Sequence, residues 1–137
     1  MKRYLLDTCV LIWLLKQDNR VKDIAEDINY YQGDYAISSE SVIELLYLIQ
    51  SGKMKIDVSF DELIKILQSK NIRIYETDRE LLNVLSSLPF FKTHPDPFDR
   101  VIISQAISEN RTLISGDHNF TLYNDLQLLL VYINGNL

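Results

Sequence analysis

At 137 residues, with 47% apolar and 24% charged side chains, four glycines and three prolines, the chain has the length of one domain and enough apolar content for one real core. This composition excludes disordered, collagenous and repetitive classes. Nineteen acids against fourteen Lys and Arg leave a net charge of −5, which excludes a protein that coats polyanions indiscriminately, so any nucleic-acid role has to be local.

Arg3–Leu6 is a short apolar run closed by Asp7 and predicts a strand, with a helix over Cys9–Lys16 behind it. Val21–Tyr31 is helical in pattern through Ile24, Ile28 and Tyr31 and is ended by Gly33; Tyr35–Ser38 is strand-like. Ser38 or Ser39 caps a helix over Val42–Gln50, with Gly52 just past its end. Two capping boxes, Ser59-Phe60-Asp61-Glu62 and Thr77-Asp78-Arg79-Glu80, each open a helix, and between them Ile72–Tyr75 is a strand of β-branched and aromatic residues. Pro89–Pro97 holds all three prolines and is a loop; Pro97 fits the first turn of a helix over Phe98–Asn110. Thr112–Ser115 is the next strand, Gly116–Asn119 a turn, and Leu128–Tyr132 a last buried strand.

Strands alternating with helices imply right-handed crossovers and a mainly parallel sheet covered on both faces. The predicted architecture is an α/β sandwich in a single domain over residues 1–137. The lone cysteine, Cys9, rules out an internal disulfide and a cysteine-rich zinc site and points to a reducing, cytoplasmic setting. Asp7 interrupts the N-terminal apolar stretch and Leu11–Leu15 stops at Lys16, so no signal peptide or membrane anchor is expected.

In open parallel sheets ligands bind beyond the carboxyl ends of the strands. Asp7 ends the first strand, and Asp117 follows Thr112–Ser115 in a turn that Gly116 lets bend tightly. Asp99 falls in a first helical turn on that same edge, and Glu44 interrupts an otherwise apolar helix that also begins there. Taken singly, each has a bland reading as a cap, a turn former or a solvated helix charge. Together they are four carboxylates from four segments converging on one edge. Such crowding calls for a hard divalent cation, Mg²⁺ or Mn²⁺, and the natural substrate is a phosphate ester. Cys9 and Trp13 read as core, His118 as a turn residue, and Tyr30 and Tyr31 as surface or core packing residues rather than base-stacking ones.

Four segments carry a family resemblance. Leu5-Leu6-Asp7-Thr8, Ile37-Ser38-Ser39-Glu40-Ser41-Val42-Ile43-Glu44, Asp96-Pro97-Phe98-Asp99-Arg100 with Ile102, Ile103 and Ala106, and Leu113-Ile114-Ser115-Gly116-Asp117 resemble, in order, the four motifs of PIN domains of the VapC-type ribonuclease toxins. The resemblance implies a PIN-like three-layer α/β/α sandwich and an acidic pocket of Asp7, Glu44, Asp99 and Asp117 holding Mg²⁺ or Mn²⁺. It implies hydrolysis of RNA to a 5′-phosphate and a 3′-hydroxyl, by water activated at a metal held mainly by Asp7 and Asp99. Thr8 would support a ligand or contact phosphate, and Arg100 would bind the RNA backbone. Asp96 reads as a helix cap, and His94 is not expected to be essential, since such chemistry needs no histidine base. Family members usually carry Thr or Arg where this chain has Gly116. The resemblance further implies a toxin with an antitoxin protein partner and a homodimer.

Two rivals stand beside this reading. One is a non-catalytic binding module whose acidic pocket holds basic side chains of a protein partner. The other is a phosphotransfer domain, against which Cys9 stands where an aspartate-nucleophile phosphatase has its second aspartate, and no lysine follows Lys92 where a receiver needs one.

Overall fold

A strand buried on both faces needs apolar side chains on both sides of its pleat, and β1 (Lys2–Leu6) meets that need at its carboxyl end, where Leu5 and Leu6 are fully buried. In the computed structural model, which describes residues 1–123 and 130–133, β1 lies at the centre of a five-stranded parallel sheet. The other strands are β2 (Gly33–Ser38), β3 (Arg73–Tyr75), β4 (Thr112–Ser115) and β5 (Leu130–Tyr132). Leu128 and Leu129 of the expected last strand lie outside the described residues.

Parallel register sorts the core into two layers. Leu5 pairs with Ala36 and Leu113, and this row packs against Ile102, Ile103 and Ala106 of helix α6 (Pro97–Ser108) and against Phe120 and Tyr123. One residue on, Leu6 pairs with Ile37 and Ile114 on the opposite face. That face is covered by α1 (Thr8–Leu15), α2 (Lys22–Asn29), α3 (Ser39–Gln50) and α4 (Phe60–Ser69). Helix α5 (Arg79–Ser87) packs beside α6. The result is the expected three-layer α/β/α sandwich, its sheet wholly parallel rather than mainly so. Among the described residues no helix is long and apolar enough to cross a membrane.

Sheet order is β3-β2-β1-β4-β5. The chain builds outward from β1 on one side, then returns to build outward on the other, so the order reverses between β1 and β4. A parallel sheet opens a crevice at such a reversal, at the carboxyl ends of the two strands. Asp7 and Ser115 sit on its two lips.

Element ends differ from expectation where local hydrogen bonding decides. The Ser59–Glu62 box forms with both arms, at 3.2 and 3.3 Å. The Thr77–Glu80 box does not form: Asp78 takes the cap by accepting from Leu81 N at 2.9 Å, and Thr77 Oγ1 donates to Glu40 instead. The helix expected over Val21–Tyr31 is preceded by a 3₁₀ turn, Asn19–Val21, capped by Asp18. It ends at Asn29 with Tyr30 as its cap, and the left-handed residue that follows is Tyr31, not Gly33: Tyr31 takes a φ of 55°, with Tyr31 N bonded to Ile28 O and Gln32 N to Asp27 O. Gly33 belongs to β2, where a Cβ would stand 2.8 Å from the Tyr35 ring and 3.1 Å from the Tyr4 ring.

One charge lies fully inside. Arg111, 1% exposed, leads into β4 and donates to Tyr4 O of β1 and Asp34 O of β2, both at 3.2 Å, and to the Tyr75 hydroxyl of β3 at 2.9 Å. Its guanidinium also lies 3.4 Å from the Asp34 carboxylate.

Candidate active site

The β1–α1 junction makes Asp7 both a cap and a wall of the crevice. Its Oδ1 accepts from Val10 N at 2.9 Å, and its Oδ2 accepts from the Ser115 hydroxyl. Ser115 Oγ accepts in turn from Asp117 N at 2.9 Å, so one hydroxyl at the end of β4 ties the two aspartates together. Asp7 is 4% exposed. Burial holds its carboxyl above the usual range, and the bonds from Ser115 and Val10 only partly counter that.

Helix α3 starts where β2 ends, with Ser38 as its cap, and brings Glu44 to the same lip. Burial raises the Glu44 carboxyl, the Asp96 and Asp7 charges push it further, and a hydrogen bond from Thr8 lowers it. Thr8 is buried, with Oγ1 bonded to Ser41 Oγ at 3.1 Å. Its hydroxyl therefore serves the support of a carboxylate.

Asp99 occupies the first turn of α6, a position that favours an anion. Burial outweighs that advantage: the carboxyl is pushed up to about 7, with the Asp96 and Asp117 charges adding to the desolvation and the His94 hydrogen bond opposing it. Asp96 caps α6 as expected, accepting from Phe98 N and Asp99 N at 2.9 and 3.2 Å.

His94 was not expected to take part, yet the structure sets it at the centre. Its Nε2 lies 3.1 Å from Asp99 Oδ2 and 3.8 Å from Asp117 Oδ2, and its ring is 4% exposed. Among the described residues, His94, Asp99 and Asp117 form the group of three whose ligand atoms all lie within 4.8 Å of one another. Asp7 joins through Ser115, and Glu44 through Thr8 and its electrostatic contact with Asp7. Contacts thus connect Asp7 to Asp117 and Glu44 to Asp7, and the tightest cluster pairs Asp99 with Asp117 rather than with Asp7. The signal for His94 was faint: a single ring in an irregular proline-rich loop, immediately before Pro95 and Asp96, with no periodicity to mark which way it faces.

Arg100 is tied to the chain just ahead of its own helix. It donates to Pro89 O at 2.7 Å and Leu88 O at 3.2 Å, with its guanidinium 5.4 Å from the Phe90 ring centre, and so pins the Pro89–Pro97 loop.

Gly116 is bare for a steric reason. A Cβ there would fall 2.4 Å from Trp13 Cη2 and 2.9 Å from Cys9 Sγ. Trp13 carries Arg20 over its ring at 4.3 Å, which leaves it little room to yield. Trp13 and Cys9 pack partly buried against the core, as expected, and burial together with the Asp7 charge pushes the Cys9 thiol up to about 12, an unreactive thiol. Tyr30 and Tyr31 are exposed at 74% and 63% and pack in no core.

Three carboxylates with raised proton affinity, Asp7, Glu44 and Asp99, come from three segments, with Asp117 and one imidazole beside them. Such a donor set suits a divalent cation with a preference for oxygen ligands.

Comparison with known proteins agrees with this architecture. The PIN domain family matches over residues 4–126. In structure the chain is similar to a protein of VapBC2 from Rickettsia felis bound to a DNA fragment from their promoter, with a TM-score of 0.66, 20% identity and coverage of 94% of this chain and 97% of that one. It is similar to one of DNA-bound VapBC from Salmonella typhimurium, with a TM-score of 0.64, 19% identity and coverage of 96% and 98%. A third likeness is to VapBC-1 from nontypeable Haemophilus influenzae, with a TM-score of 0.60, 21% identity and coverage of 94% and 96%. No curated protein matches in sequence.

Proposed function

The chain belongs to the PIN domain family, and from that premise we propose that it is a divalent-metal-dependent endoribonuclease, a cytoplasmic VapC-type toxin held in check by an antitoxin. The observation that carries this reading is the convergence of Asp99, Asp117 and His94 within 4.8 Å at the sheet's switch point, beside Asp7 and Glu44. Asp7, Glu44, Asp99 and Asp117 would hold Mg²⁺ or Mn²⁺. Bound there, the cation would supply positive charge against that developing on the scissile phosphate and would make a neutral-pH water nucleophilic.

The residues of the chain do the rest. Asp7, fixed by Val10 N and Ser115, presents a carboxylate that cannot turn away. Asp99 gives up the proton it holds near neutrality when the cation arrives, so cleavage should strengthen as pH rises through about 7. Thr8 steadies Glu44. Arg100 shapes the RNA-facing wall by pinning the proline-rich loop. With no 2′-hydroxyl needed as nucleophile, the products carry 5′-phosphate and 3′-hydroxyl ends.

An inhibitor for this site combines basic side chains with an apolar helix. Ile43 and Tyr47, on either side of Glu44 along α3, expose 49% and 57% of their surface and extend the acidic lip into an apolar one. The solved relatives are VapBC assemblies, which supports a protein partner of that kind. We propose a homodimer on the family's pattern; sedimentation showing only monomers at micromolar concentration would count against it.

The direct test is incubation of purified protein with structured RNAs, with Mg²⁺, Mn²⁺ or EDTA, followed by end-group analysis. Cleavage should require metal and fail in Asp7→Asn and Asp99→Asn. Equal cleavage by these variants, or indifference to EDTA, would refute the reading.

A further inference from the structure

We infer that His94 is the positioning residue of the acidic site, the last link of a hydrogen-bonded chain from Tyr123 that fixes the carboxylate of Asp99. This rests on the metal-dependent reading above and adds to it a residue outside the four-acid pocket.

The metal-holding form of the site sets the direction of each bond. With a cation bound the Asp99 carboxylate is ionised and can only accept, so across the 3.1 Å contact to Asp99 Oδ2 it is His94 Nε2 that carries the hydrogen. That tautomer leaves Nδ1 as an acceptor, and the Tyr123 hydroxyl, 3.1 Å away, donates to it. The bonded chain therefore runs from Tyr123 to His94 and from His94 to Asp99.

Each member is immobilised separately. His94 packs edge-on against Phe120 and Tyr123, with ring centres 5.4 and 5.6 Å apart, and its own N–H bonds Phe91 O at 3.0 Å. Tyr123 is fully buried, and Phe91 packs edge-on against it at 5.0 Å. A ring so confined presents its Nε2–H at one fixed place, between the oxygens of Asp99 and Asp117. Partners that orient metal-binding carboxylates in this way characteristically change metal affinity about 10–100-fold when removed.

Calorimetric titration with Mn²⁺ tests this on the intact protein. Relative to the parent, His94→Ala should weaken binding about tenfold or more, and His94→Gln, whose amide N–H can take the place of Nε2–H, should stay within about threefold. Tyr123→Phe removes one hydroxyl from a core that otherwise keeps its shape, and should fall between them. Melting in EDTA accompanies each variant, so that a loss of fold is read separately from a loss of affinity; if His94→Ala does not fold, Tyr123→Phe and His94→Gln decide. On the Mn²⁺-loaded parent, pulsed electron spin resonance should show no directly bonded nitrogen. Parent-like affinity in both His94→Ala and Tyr123→Phe would overturn the inference, as would His94→Gln falling as far as His94→Ala, or a directly bonded nitrogen. A parent that binds no Mn²⁺ refutes the metal-dependent reading itself, whereas a parent that binds and cleaves while the variants bind equally well refutes only the role of His94.

Discussion

Replacing Asp99 by Asn should make the metal-free protein more stable while abolishing its proposed activity. The carboxyl is raised by burial, then by Asp96, from 3.8 to about 7. A group that binds its proton more tightly folded than unfolded weakens the fold once that proton is lost. The cost is absent below about pH 4, where both states are protonated, grows through the window to about pH 7, and is complete above it. Three units correspond to about 4 kcal/mol. With 23% of the side chain open to solvent, about half of that, roughly 2 kcal/mol, is expected to survive screening. Asn Oδ1 can still accept from His94 Nε2, so the substitution removes charge without orphaning the ring. Urea titrations in EDTA at about pH 8 should therefore show Asp99→Asn about 2 kcal/mol more stable than the parent, equivalent to a rise of about 6–8 °C in Tm, with the difference fading towards pH 4. Saturating Mn²⁺ should reverse the order, since a ligand at 100 times its Kd adds about 2.7 kcal/mol to a protein that binds it. A variant no more stable than the parent at about pH 8 in chelator would refute the claim that the site stores unfavourable charge.

Three further outcomes follow from the same contacts. Asp7→Asn keeps a competent helix cap and, like Asp99→Asn, removes a carboxyl whose proton affinity burial raises, so in EDTA at about pH 8 its stability by urea should be no lower than the parent's, while metal-dependent cleavage falls roughly a hundredfold or more. Gly116→Ala should cost about 1–3 kcal/mol through its collision with Trp13, and Trp13→Phe, which lacks the colliding Cη2 atom, should recover part of that loss in the double variant; strictly additive losses would dismiss the steric account. Arg111→Ala should cost about 3–5 kcal/mol by stranding Asp34, the Tyr75 hydroxyl and two carbonyls, and an unchanged denaturation midpoint would rule this out.

What could be read from the sequence was what depends on neighbours in the chain. The apolar runs around Leu5, Ile37 and Ile114, the caps at Asp7, Ser59 and Asp96, and the edge on which the four acids gather all follow from spacing and strand polarity. The misreadings arose where two local solutions competed. Thr77 and Asp78 can each cap α5, and the reach of Asp78 to Leu81 N decided between them. Gly33 looked like a helix end because glycine usually takes the left-handed position, but Tyr31 takes it here, and Gly33 is needed for the closeness of two stacked tyrosines. His94 was hidden for a different reason. Its partners Tyr123 and Asp117 are brought to it by the closing of the sheet, which no local pattern encodes.

Arg111 bears on how the sheet assembles. Its side-chain partners stand 107, 77 and 36 residues away along the chain. No fragment of the sheet can satisfy its guanidinium, because the contacts come from three other strands, and a slip in register of any one of them would strand a buried charge. Such a residue makes partly assembled sheets poor in energy as well as incomplete, which sharpens the gap between the native arrangement and its near neighbours. The same dependence on distant partners should place the settling of Arg111 late in folding, after β1, β2 and β3 have met.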